Sequence, residues 1–129
     1  MSDDLDVLCG EILKLDGAIR FAGIANNMGV LLAERFREGL HPLMTREELE
    51  SYAIKAALRM KTREDSESSL GRTVYTFALY EKVKRASISL NDSRCSLLMV
   101  AFDVKAEHES IILDRIMPLM RRHRLVAES

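Results

Sequence analysis

Ile19-Arg20-Phe21-Ala22-Gly23-Ile24-Ala25, running on through Asn26-Asn27-Met28-Gly29 into Val30 to Phe36, is the stretch whose reading decides the fold. From Ala18 to Ala25 the side chains alternate. Ile19, Phe21, Gly23 and Ala25 share one face, and Ala18, Arg20, Ala22 and Ile24 share the other. Arg20 alone is charged, and a strand apolar on both faces belongs in the interior of a sheet covered on both sides, which predicts three layers. Asn26 to Gly29 supplies residues that tolerate positive φ and predicts a hairpin into a second strand, Val30 to Phe36. That second strand carries Glu34 and Arg35 and runs into Arg37-Glu38-Gly39, the charge that keeps a sheet border from pairing with another chain.

Upstream, Leu5, Leu8, Ile12 and Leu15 recur at spacings of three and four, which predicts a helix with one apolar stripe, ended by Asp16-Gly17. Downstream, Thr45-Arg46-Glu47-Glu48 has the form of a capping box, with Met44 and Leu49 placed as its hydrophobic staple. The helix it opens has a core-facing stripe of Leu49, Tyr52, Ala53, Ala56, Ala57 and Met60. Ile54 and Leu58 fall on the opposite side and form a small exposed apolar ridge. The polar run from Arg59 to Ser69 contains no proline and lets the helix continue until Leu70-Gly71 turns the chain.

Thr73 to Tyr80 is β-branched, aromatic and uncharged. Glu81-Lys82 turns it into Val83 to Leu90, and Asn91-Asp92-Ser93-Arg94 turns again into Cys95 to Phe102, which predicts an antiparallel meander with the last strand inside the sheet. A final helix from Lys105 to Arg122 presents Ile111, Ile112, Ile116, Leu119 and Met120. Pro118 should kink it or restart its last turn. The fold class is therefore α+β: a three-layer α/β/α arrangement with a five-stranded antiparallel sheet, in the order α-β-β-α-β-β-β-α.

At 129 residues the chain fits a single domain spanning residues 1–129. A net charge of -1 with 30% charged residues lacks the positive field of a dedicated nucleic-acid binder. The basic run Arg121-Arg122-His123-Arg124 is accounted for by the helix dipole. The acidic start, Met1-Ser2-Asp3-Asp4, is unlike a secretory signal, and no apolar run approaches the roughly 20 residues of a membrane span, so a cytoplasmic protein is expected. Cys9 and Cys95 lie in apolar segments far apart, which favours buried thiols over a redox pair or a zinc site.

No catalytic constellation stands out. His41, His108 and His123 sit in separate segments without ligand spacing, and there is no nucleophile elbow, phosphate loop or dinucleotide fingerprint. Glu107-His108-Glu109 reads as a solvated first helical turn. No enzymatic activity, cofactor or metal is expected. Arg20 is the charged residue to explain, because an arginine in a central strand must find an acceptor. Asp16, Asp103 and a main-chain carbonyl are the internal candidates; an anion pocket between sheet and helix is the functional one.

The order of elements resembles the roadblock/LC7 fold, a relative of the longin and profilin-like architectures, over essentially the whole chain. The strings Ile19 to Gly29 and Tyr80-Glu81-Lys82-Val83-Lys84-Arg85-Ala86 are also similar to a family of small archaeal proteins. The roadblock resemblance implies a sheet order of 2-1-5-4-3, a homodimer joined through the third strands and second helices, and a protein partner such as a small GTPase. Placed on this chain, the dimer interface comprises Ile54, Leu58, Val74, Thr76 and Ala78. Two functions follow. One is a non-catalytic regulatory or scaffold module acting through protein–protein contact. The other is a small-ligand sensor of profilin-like or PAS-like type, marked by a cavity of about 300 Å³ or more reaching Arg20 as the ligand-binding residue.

Overall fold

In the computed structural model, which describes residues 2–127 with side chains from residue 4, the Asn26 to Gly29 segment makes the expected hairpin. It joins β1 (Ile19–Ala25) to β2 (Leu31–Phe36). The Asn26 side-chain oxygen accepts from the Met28 and Val30 N–H groups at 2.9 and 3.0 Å, and Gly29 takes φ +83. An aspartate-like cap of this kind closes the turn locally, before any distant contact forms.

Three further strands, β3 (Tyr75–Leu79), β4 (Lys84–Ser89) and β5 (Leu97–Phe102), form the meander. The sheet runs β2-β1-β5-β4-β3 with every neighbouring pair antiparallel. All six residues of β5 are buried, as befits the central strand. Each strand is a residue or more shorter than the sequence pattern suggests, because ladder pairing stops before the apolar run does.

The layers follow from alternation. Leu98, Val100 and Phe102 of β5, with Ala86 and Ile88 of β4, pack under α1 (Ser2–Leu13) and the C-terminal helix. Leu97, Met99 and Ala101 face α2 (Arg46–Arg63), which buries Leu49, Ala53, Ala56 and Ala57. Burial of side chains such as Leu8, Ile12 and Ile112 contributes roughly 1.5–3 kcal/mol each to holding a helix on the sheet.

Alternation fails at two points, one between Ile24 and Ala25, where Ala33 and Leu31 are the partners and Leu32 is skipped, and one at Arg20. Ile19 pairs with Phe102 and Phe21 pairs with Ala101, adjacent residues of β5, so Arg20 is the extra residue of a bulge. Ile19 therefore turns to the α1 layer with Ala22 and Ile24, while Arg20 borders the α2 face beside Phe21. The strict two-face division expected from the sequence is corrected accordingly.

The capping box of α2 is present: the Thr45 hydroxyl accepts from the Glu48 N–H, and Glu48 accepts from the Thr45 N–H at 2.8 Å. Past Arg63 the chain continues through a 3₁₀ turn, Glu64–Ser66, and the short α3, Glu67–Leu70, ended by Gly71 at φ +85. At the other end, α1 stops at Leu13, ahead of Asp16-Gly17.

The C-terminal helix begins at His108 as α4 (His108–Ile111), widens into a π turn (Ile112–Ile116) and resumes as α5 (Met117–Arg122). The Met117 N–H reaches five residues back to the Ile112 carbonyl. Pro118 thus restarts the helix through a wide turn that accommodates its ring, in place of a sharp kink. His108 is not a solvated residue as expected. Its ring stacks on Phe77, centroids 3.9 Å apart and planes 9° apart, and burial lowers its pKa.

No helix of the described residues is long and apolar enough to cross a membrane.

Candidate functional site

At one end of the sheet β1 starts, β2, β3 and β5 finish and β4 starts, so five strand ends share that end of the sheet. Asp103, the residue after β5, ties three of these elements together. Arg20 Nη1 donates to Oδ1 at 3.1 Å, and Arg37, just past β2, donates to both oxygens at 2.9 and 3.2 Å. Arg37 also donates to the Gly17 carbonyl at 2.8 Å. The Asp103 carboxyl is held below the usual carboxylate range; the Arg37 hydrogen bond lowers it most, partial burial opposes this, and the Arg20 bond adds to the lowering. Of the acceptors considered for Arg20, the structure chooses Asp103.

Beside this clamp lies a cleft of about 460 Å³ between the α2 face of the sheet and the loop that leads into α2. Arg20 borders it. Its walls are Phe21, Phe36, Leu49 and Val83, its cover is the segment Leu40 to Met44, and Glu81 and Lys82 of the β3–β4 turn stand at its rim. Met44 and Leu49, the expected staple pair, both line it. The volume exceeds the size set for a sensor cavity, yet Arg20 is already engaged.

The buried cation among the described residues is Arg85, on β4 and only 8% exposed. Its guanidinium lies 4.1 Å from the Tyr52 ring centre and 5.7 Å from that of Phe21. Nη1 donates to the Met44 sulfur at 3.2 Å, a weak acceptor. Nε and Nη2 are buried with no acceptor among the described residues. Burial pushes the guanidinium below its ordinary range, opposed by its neighbours Tyr52 and Tyr80. Burying an unpaired charge costs several kcal/mol, and two ring faces return about 0.5–2 kcal/mol. Sequence reasoning passed over Arg85 and singled out Arg20, although the same logic applies to both: a lone arginine in an interior strand needs an acceptor.

The candidate interface residues lie on two elements, the β3 border and α2. Val74, Thr76 and Ala78 belong to the β3 border, where β3 pairs with β4 alone among the described residues. Ile54 and Leu58 are exposed on α2, at 54% and 61%. A Cβ on Gly29 would lie 2.4 Å from the Ile54 Cα, and Arg46 pairs with Glu34 of β2. That flank of α2 therefore stands over the β1–β2 hairpin, while Tyr52 faces β4. Among the described residues no cluster of His, Cys, Asp or Glu is arranged to hold a metal ion.

No protein-family model matches the chain, and no curated protein sequence matches it. Solved structures do. An MglB in a tetrameric arrangement superposes with a TM-score of 0.76 at 18% identity, covering 95% of this chain and 87% of that one. MglB of Myxococcus xanthus gives 0.71 at 16% identity, with 94% and 92% covered. A roadblock/LC7 domain from Streptomyces avermitilis gives 0.69 at 11% identity, with 92% and 93% covered. Sheet order, helix placement and these superpositions agree: the protein has a roadblock/LC7-like fold.

Proposed function

We propose that the protein is a non-catalytic regulatory or scaffold module of the cytoplasm, working as a homodimer that presents a surface to a protein partner. The observation that carries this reading is the bare β3 border. Thr73 to Tyr80 has no charged residue, Val74 and Leu79 are exposed, and one row of backbone groups faces outward. The opposite border, β2, carries Glu34 and Arg35. An edge without charge, bulge or cover is a template for a second strand, and a two-fold axis through it joins two five-stranded sheets into one. Val74, Thr76 and Ala78 are the residues of that contact.

Ile54, whose Cα abuts Gly29 of the β1–β2 turn, and Leu58 are exposed on α2, and the reading uses them differently from Val74. They form an apolar ridge on the outer side of α2, suited to a partner, and the likeness to roadblock/LC7 proteins makes a small GTPase the partner class to test. Sedimentation of the wild type and of Ala78→Lys tests the dimer. The expected result is a dimer at micromolar concentration that Ala78→Lys converts to a folded monomer, whereas a wild-type monomer at that concentration removes the reading. Ile54→Asp should leave the dimer intact and abolish capture of the GTPase.

A small-ligand sensor is the second reading, and the cleft of about 460 Å³ bordered by Arg20 favours it.

A further inference from the structure

Arg85 holds a buried positive charge that no carboxylate among the described residues pairs with. Its one hydrogen bond goes to a thioether, and Nε and Nη2 have no acceptor among the described residues. These two donors lie on the same edge of the guanidinium, the edge whose parallel N–H groups match the two oxygens of a carboxylate. Packing alone does not explain an arginine here, since an unbranched apolar side chain would fill the site without the desolvation cost.

The surroundings narrow the choice of anion. The cleft is walled by Phe21, Leu49 and Val83 and has the volume of a small organic molecule. Arg20 is bound to Asp103, and at the rim Glu81 offsets Lys82. One unmatched cation in an apolar cleft suits one negative charge on an apolar body; a phosphate dianion, which needs several donors and water, is poorly served.

We propose that this cleft binds an organic monocarboxylate with an aryl or medium-chain aliphatic body, its carboxylate forked by Nε and Nη2 of Arg85. Met44, on the loop preceding α2, keeps its sulfur on Nη1 while the carboxylate takes the Nε and Nη2 edge of the guanidinium. The site rests on the sensor reading and stands whether or not β3 borders pair.

Calorimetric titration of the full chain with phenylbutyrate and octanoate, with their primary amides, and with inorganic phosphate tests it. The acids bind, the amides bind at least about tenfold more weakly, and phosphate does not bind. Arg85→Met, checked for folding by its thermal transition, brings the acids down to the level of the amides. In the wild type the Arg85 Nε–H proton resonance moves downfield on adding octanoate, a readout independent of any variant. Equal binding of acid and amide, unchanged in Arg85→Met, overturns the anchor and leaves the cleft a generic apolar site. Binding of phosphate with the same dependence on Arg85 overturns the ligand class. Failure of every probe at about 10 mM overturns both the proposal and the sensor reading while leaving the dimer untouched.

Discussion

Arg20 and Asp103 are 83 residues apart in sequence and 3.1 Å apart in space, and their ion pair joins the start of β1 to the end of β5. With Arg37 on the other side of the same carboxylate, the pair fixes the end of the sheet where the cleft opens.

Asp103→Asn should lower stability at neutral pH by about 1 kcal/mol, a modest figure because the carboxylate is partly exposed and screened. Its folded-state pKa is depressed, so the stabilisation is complete above the ordinary carboxylate range near pH 4 and is lost as pH falls through the lowered value. Urea unfolding of wild type and variant should therefore differ at neutral pH and converge in acid. A difference that persists in strong acid would show that the ion pairs are not its source.

Gly29→Ala should destabilise by at least about 2 kcal/mol, because the added Cβ would sit 2.4 Å from the Ile54 Cα and 2.8 Å from the Ala53 carbonyl oxygen, at φ +83. Gly39→Ala carries a similar φ of +77 but meets nothing within 4 Å, so it should cost only about 1 kcal/mol. Thermal unfolding of the two variants separates backbone strain from helix–turn collision. Equal effects would place the whole cost in the backbone.

Cys9 and Cys95 should resist a thiol reagent in the native protein at mildly alkaline pH and label together once urea unfolds it. Both are fully buried, and burial first, then the Asp6 charge, pushes the Cys9 thiol up to about 12. The raised folded-state value means that stability is intact below pH 9.0 and declines as pH climbs from there toward about 12. Rapid native labelling of Cys9 would contradict its placement on the sheet-facing side of α1.

Arg85→Met should be as stable as the wild type or more stable by about 1 kcal/mol, since it removes a buried charge that lacks a counter-ion. Arg20→Leu should instead destabilise, because Asp103 loses a partner. Thermal unfolding decides, and a large loss in Arg85→Met would mean that its contact with Tyr52 outweighs desolvation.

Local patterns carried most of the architecture. The Asn26 to Gly29 turn, the Thr45–Glu48 capping box and the short links of the meander are each written in a few adjacent residues, and each formed where expected. The bulge at Arg20 escaped because an extra residue in a ladder exists only relative to the partner strand. For the same reason strand ends were not legible, while Pro118 predicted a kinked or restarted helix without specifying the π turn ahead of it.

The sequence by itself determined the order of elements, the interior position of β5 and the bare character of β3, since these depend on side-chain period, local hydrogen bonding and the presence or absence of charge. Only the tertiary structure decided which arginine is spoken for. Asp103 reaches Arg20 and Arg37 while Arg85 is left among aromatic rings, because pairing across a sheet depends on which strand ends converge, and that geometry exists only once the whole chain has folded.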